Sequence, residues 1–214
     1  MVKLLIFDMD GTLIDTDEVL IKTWSELFRL YKDKDYKIDT ELIRTFSGPP
    51  IEQSMHRAFP ELDYNFILKE YRERTKKYYD TYLNIFDNEQ EVLKKLYEDG
   101  YLMAIATTKN KEMALKCLEK YKIKDYFKII LTSSDPVKPK PDPEALNLIM
   151  NRLSISPSKT IMIGDTDFDF YAARNAKINA ILLSICKRTH HEDVKPLAFV
   201  NSYKELYEFI KKLK

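Results

Sequence analysis

Leu4-Leu5-Ile6-Phe7-Asp8-Met9-Asp10-Gly11-Thr12 is the stretch that decides the fold. Four apolar residues in succession, with no polar alternation, describe a strand covered on both faces, as in a parallel sheet. The run then breaks into two carboxylates and a glycine. Neighbouring anions at a strand end are costly unless a cation or a set of donors faces them. Glycine there permits a tight turn and close backbone approach to a ligand. In an open parallel sheet, ligands bind outside the carboxyl ends of the strands.

The same kind of run recurs along the chain. Apolar segments lie at Lys3 to Phe7, Leu102 to Ala106, Ile129 to Leu131, Thr160 to Ile163 and Ala180 to Leu183, separated by amphipathic helical patterns. Helix boundaries are also legible. Asn88 with Glu91, and Ser202 with Glu205, have capping-box spacing, and Gly100 stands where a helix must stop. Leu206, Phe209, Ile210 and Leu213 give the last helix one apolar face. Residues 16–84 read differently, because they contain no convincing strand. Leu20, Trp24, Leu27, Phe28 and Tyr31 follow helical spacing, as do Ile51, Met55 and Phe59. Tyr64, Leu68, Tyr71, Thr75, Tyr78 and Tyr82 form a longer stripe, which periodicity alone explains as packing. The expected layout is α/β, with a mainly parallel sheet built from residues 1–15 and 85–214. An all-helical segment, 16–84, is inserted after the first strand.

Bulk composition narrows the function classes. The 214 residues carry 35 basic against 34 acidic side chains, a formal net charge of +1, and are 44% hydrophobic. That balance offers no basic footprint for nucleic acid or an anionic membrane. Apolar runs fall short of the roughly 18 residues needed to span a bilayer, and the chain starts directly on a strand without a secretion-type leader. The expectation is a cytoplasmic protein with neither nucleic-acid nor membrane partners. Cys117 and Cys186 have no metal-ligand spacing and read as buried packing residues.

Three further signals stand at or just beyond strand ends. Thr107-Thr108 follows Ala106, and hydroxyls with backbone amides there can receive phosphate oxygens, although a threonine pair also serves as a helix cap. Lys138-Pro139-Lys140-Pro141-Asp142-Pro143 is a proline-stiffened segment that holds a lysine on a defined path; its bland reading is a rigid surface loop. Gly164-Asp165-Thr166-Asp167-Phe168-Asp169 gathers three acids within five residues, which repel one another without a cation or donors.

Together these four segments, in this order, resemble the haloacid dehalogenase-like hydrolase superfamily, most closely its phosphoglycolate phosphatase-like branch with a helical cap domain after the first motif. The resemblance implies a Rossmann-like core and a magnesium-dependent phosphatase. Asp8 would be the nucleophile, forming an aspartyl phosphate, and Asp10 the general acid and base. Thr107, supported by Thr108, would hold a phosphoryl oxygen. Lys138 would neutralise charge there; both Lys138 and Lys140 begin a Lys-Pro-x-Pro, but the longer family pattern running through Glu144 starts at Lys138. Mg²⁺ would be held by Asp8, Asp165 and the backbone carbonyl of Asp10, with Asp169 ordering a bound water or Lys138. Asp167 is expected to cap the helix that follows, and Asp15 or Thr16 the first inserted helix. His56, His190 and His191 have no metal-like arrangement, and residues 190–193 read as a polar surface loop.

The expected reaction is hydrolysis of a small phosphate monoester, phosphoglycolate-like or a sugar phosphate, by a monomer or homodimer. Pyrophosphate and nucleotides stay open as substrates. The alternatives are a phosphomutase of the β-phosphoglucomutase type and a non-catalytic phosphate-binding module. A dehalogenase is disfavoured by the carboxylic acid at Asp10. Substrate choice is expected to lie with the inserted segment, through Ser47-Gly48-Pro49-Pro50 with Arg44 or His56.

Overall fold

The structure is a computed structural model and describes residues 1–213. Among them, six parallel strands form one sheet: β1 (Leu4–Phe7), β2 (Leu102–Ala106), β3 (Phe127–Leu131), β4 (Thr160–Gly164), β5 (Asn179–Leu183) and β6 (Ala198–Val200), in the order β3-β2-β1-β4-β5-β6. The first strand is therefore central, and the order reverses there, between β2 and β4. Leu4, Leu5, Ile6 and Phe7 are all fully buried, as an apolar run covered on both faces requires.

Helices α1 (Asp17–Tyr31), α2 (Thr40–Arg44), α3 (Ile51–Ala58) and α4 (Tyr64–Tyr82) come between β1 and β2, followed by α5 (Glu89–Glu98), which leads into β2. Helices α6 (Lys111–Lys120), α7 (Glu144–Leu153) and α8 (Asp167–Asn175) make the crossovers β2 to β3, β3 to β4 and β4 to β5. The last helix, α9 (Tyr203–Lys212), follows β6. On one face of the sheet, Leu4, Ile6, Ala104 and Met162 alternate inward and pack with Leu146, Ile149 and Met150 of α7 and Ala172 and Ala173 of α8. Among the described residues, no helix is long and apolar enough to cross a membrane.

The chain separates into two units, Met1–Ile14 with the chain from Ile85 on, and Asp15–Asn84. The inserted unit has its own aromatic core around Trp24, which stacks on Phe46 at 4.3 Å and lies 6.2 Å from Phe59, with Phe28 and Tyr71 alongside. Its two ends are tied, since the Asp15 amide donates to the Asn84 carbonyl at 2.9 Å and the Asn84 amide returns the bond at 3.3 Å. The tyrosine stripe of α4 lies half-buried along one helix face, with Tyr71 against Trp24. Arg44 pairs with Asp17 at 2.9 Å, and His56 is exposed, stacked on Tyr64.

Several local expectations are corrected. β6 is a sixth strand that the apolar pattern missed, because Ala198-Phe199-Val200 is short and sits at the sheet edge. Asn88 does not cap α5 through its side chain; it takes a left-handed conformation at φ 62°. Ser202 does cap α9, accepting from the Glu205 amide at 3.1 Å, but the Glu205 carboxylate accepts from the Asn201 amide and so the box is displaced by one residue. The expected cap of α1 is met through Asp15, whose carboxylate accepts from the Asp17 amide at 3.1 Å, while Thr16 makes no side-chain cap bond.

Candidate active site

The carboxyl ends of β1, β2 and β4 lie side by side, and each delivers a polar group to one place. Asp8 extends β1, its amide donating to the Ile163 carbonyl at 2.8 Å. The chain then turns sharply, with the Met9 carbonyl accepting from the amides of Thr12, Leu13 and Ile14. Gly11 makes that turn possible at φ +80°, and a Cβ there would also overlap the Asp165 carboxylate. Gly164, at the end of β4, is packed in the same way against the Asp169 side chain.

Asp165 and Asp169 are wholly buried and Asp8 nearly so. Asp169 is held from several sides. One of its oxygens accepts from the Thr166 amide at 3.0 Å and the Thr166 hydroxyl at 2.8 Å, closing a capping box at the start of α8. The other accepts from the Lys140 ammonium, which also donates to Asp8 Oδ1 at 2.5 Å. Asp165 accepts from Arg188 Nε at 2.8 Å on one oxygen and from the Thr12 hydroxyl at 3.3 Å on the other. Asp10 stands in the turn after Asp8, with Lys109 Nζ 2.6 and 2.8 Å from its two oxygens. Thr107 is buried beyond β2, its hydroxyl accepting from the Lys109 amide at 3.2 Å, and Thr108 beside it is half-buried.

Burial sets the electrostatics. It pushes the Asp8 carboxyl up to about 7, against the opposing pull of Lys140. It pushes Asp165 up to about 6, against Arg188. Burial works to lower the Lys140 pKa, but Asp169 and Asp8 outweigh it and raise it, so the ammonium stays charged. Within this buried group the three carboxylates Asp8, Asp165 and Asp169 face two cations, Lys140 and Arg188. Oxygens of Asp8, Asp165 and Asp169 lie within 4.8 Å of one another. An all-oxygen carboxylate set suits a hard divalent ion such as Mg²⁺. Asp169 is engaged by Lys140 and by three donors of the 165–166 turn, whereas Asp165 meets Arg188 and Thr12 and Asp8 meets Lys140, so Asp8 and Asp165 are the less encumbered ligands.

Of the residues singled out from the sequence, Asp8, Asp10, Thr107, Thr108, Asp165 and Asp169 all stand at this end of the sheet. Lys138 does not. Its side chain is exposed and faces Asp142 at 3.8 Å, and the lysine at the site is Lys140, with a side chain only 5% exposed. The physical reason lies in the loop. The Lys138 amide donates to the Glu144 carboxylate at 3.0 Å, and the Asp142 amide to the Pro139 carbonyl. The longer pattern from Lys138 to Glu144 therefore closes a turn, and Lys140 is the residue it directs inward. Asp167 is not the cap of α8, which is Thr166; Asp167 instead pairs with His190 Nδ1 at 2.6 Å and accepts from the His191 amide. His190 is thus largely buried rather than part of a solvated loop. Lys109 and Arg188 were not anticipated. Lys109 directly follows the threonine pair and could have been suspected, whereas nothing in the sequence near Arg188 announces its partner.

Comparison with known proteins agrees with this geometry. Residues 5–183 match the family described as haloacid dehalogenase-like hydrolase. The pyrophosphatase PpaX of Halalkalibacterium halodurans is 32% identical over 189 residues, covering 87% of this chain and 86% of the relative. The pyrophosphatase PpaX of Bacillus cereus is 28% identical over 200 residues, covering 91% and 90%. Among solved structures, a haloacid dehalogenase-like family hydrolase from Streptococcus pneumoniae superposes with a TM-score of 0.81 at 23% identity, covering 98% of each chain. With the acidic strand ends, the buried lysine and the inserted helices in place, the chain belongs to the haloacid dehalogenase-like hydrolases.

Proposed function

We propose that this hydrolase is a Mg²⁺-dependent phosphatase that removes a phosphoryl group from a small phosphorylated metabolite through an aspartyl phosphate on Asp8. The observation that carries the reading is the pairing of Asp8 with Lys140, two residues before a second carboxylate, Asp10, that has its own lysine. Nucleophile and proton carrier are then separate groups on one turn. The Lys140 ammonium offsets negative charge on Asp8 and on an incoming phosphoryl group.

In the first half-reaction an Asp8 oxygen attacks phosphorus and the bond from phosphorus to the leaving oxygen breaks. Asp10 gives its proton to that oxygen. In the second, water attacks phosphorus, Asp10 takes the water's proton, and the bond to Asp8 breaks, freeing inorganic phosphate and restoring the Asp8 carboxylate and the protonated Asp10. Thr107 and Thr108 offer hydroxyls and amides for phosphoryl oxygens at the end of β2. Asp8, Asp165 and the backbone carbonyl of Asp10 would hold Mg²⁺, which when bound screens the charge on the phosphoryl oxygens. Asp169 keeps Lys140 aimed at Asp8.

Two substrate classes are supported. Relatives named pyrophosphatase put inorganic pyrophosphate first, and phosphoglycolate and sugar phosphates follow from the resemblance in the sequence motifs. We place the enzyme in the cytoplasm as a monomer or homodimer. The test is phosphate release from pyrophosphate, phosphoglycolate and a set of sugar phosphates with Mg²⁺, by wild type and Asp8→Asn. Release that is lost with Asp8→Asn and with EDTA supports the reading. A folded wild type that releases phosphate from none of them, or an Asp8→Asn protein that still turns over, refutes it.

A further inference from the structure

Arg188 lies in the connection after β5, and its side chain is only 4% exposed. Its guanidinium donates from Nε to Asp165 Oδ2 at 2.8 Å. The segment carrying it is fastened at neighbouring points. The Lys187 amide donates to the Ser184 carbonyl at 3.3 Å, Cys186 Sγ sits 3.7 Å from the Gly11 carbonyl oxygen, and His190 and the His191 amide both engage Asp167. The arginine is therefore presented by a folded loop and is no freely moving surface side chain.

An arginine stays protonated at any pH a protein meets. Asp165 consequently has a permanent unit charge in contact with one of its oxygens. A dication that takes Asp165 as a ligand must share that carboxylate with the guanidinium, and like charges oppose each other. An anion entering the same pocket feels the opposite effect. Four carboxylates, Asp8, Asp10, Asp165 and Asp169, already face three fixed cations, Lys109, Lys140 and Arg188. With all of them ionised, adding a dication turns the group net positive, and a phosphate restores the balance.

We propose that Arg188 is a resident counter-cation of the divalent-ion site, which weakens binding of the ion alone and couples its binding to that of the anionic substrate. This rests on Asp8 and Asp165 being the ligands of Mg²⁺, as in the function proposed above. Arg188 acts here through Asp165, as a positioning and charge-setting residue. The coupling is reciprocal, so phosphate tightens Mg²⁺ by the same factor that Mg²⁺ tightens phosphate.

The experiment is calorimetric titration of Mg²⁺ into the full-length protein, with and without inorganic phosphate, for wild type, Arg188→Met and Arg188→Lys. Wild type is expected to bind Mg²⁺ more tightly when phosphate is present. In Arg188→Met, Mg²⁺ alone should bind about 10-fold more tightly, and phosphate should enhance it less, since a unit charge beside a dication's ligand is worth several times thermal energy at low effective dielectric. Arg188→Lys, which keeps the charge, should stay within about 3-fold of wild type. Weaker or unchanged Mg²⁺ binding in Arg188→Met overturns the proposal, because an arginine that only orients Asp165 gives that result. Should Arg188→Met fail to fold by thermal melting, the wild-type titration decides alone: no effect of phosphate on Mg²⁺ affinity overturns it. A wild type that binds no Mg²⁺ under either condition removes the metal reading itself, a distinct outcome.

Discussion

Glu89 is a buried acid that the chemistry does not use, and it makes stability depend on pH. It opens α5 with no exposed surface. One carboxylate oxygen accepts from the Phe86 amide at 3.1 Å, and the other is buried with no hydrogen-bond partner among the described residues. Burial raises its pKa from 4.5 to about 9, only slightly opposed by the Phe86 amide. The folded chain therefore carries a proton on Glu89 that the unfolded chain has lost, throughout the window from 4.5 to about 9. Because the native state binds more protons there, stability falls as pH rises, by about 1.4 kcal/mol per unit at the limit. From about pH 6 to about pH 8 the loss is about 3 kcal/mol. Asp8 and Asp165, raised to about 7 and about 6, add a slope of the same sign at the lower end of this range. Glu89→Gln keeps that part and removes only the Glu89 contribution. Urea unfolding of both proteins in EDTA at the two pH values should show wild type losing about 3 kcal/mol more than the variant. Parallel losses in the two proteins would refute a neutral, buried Glu89.

Two other substitutions test the site. Lys140→Met should abolish phosphate release and lower stability by about 3–5 kcal/mol, because Asp8 and Asp169 then lose their shared cation. Lys138→Met should leave both activity and melting temperature near wild type; a reversed pattern would return the site lysine to Lys138. Gly11→Ala should destabilise by about 1–3 kcal/mol, from the strained positive φ and the collision with Asp165, and cut turnover at least about 10-fold. Thermal melting and phosphate release measure the two effects separately.

What the sequence revealed depended on how local each signal was. Residues 4–7, 102–106, 160–163 and 180–183 were legible because a strand buried on both faces must be apolar at nearly every position. Ala198-Phe199-Val200 was not, since an edge strand of three residues with Phe199 exposed has too little pattern to separate it from a loop. Asp8, Asp10, Asp165 and Asp169 could be picked out because charge at a strand end is conspicuous. The lysine was ambiguous because two overlapping Lys-Pro-x-Pro segments differ only in which one closes the turn, and that depends on Glu144 reaching back to the Lys138 amide. Arg188 lay beyond sequence reasoning altogether. Its partner is 23 positions away, in another crossover of the sheet, and only the fold brings them together.

The paired backbone bonds between Asp15 and Asn84 bear on how such a chain could have arisen. An unstructured insertion of this length between two sheet strands would cost about 4 kcal/mol in chain-closure entropy. Here the inserted helices bring their own two ends together, so the host strands are spared most of that loss. The ancestral sheet could thus acquire the helices as a ready-made graft, and a different helical module with equally adjacent ends could replace them.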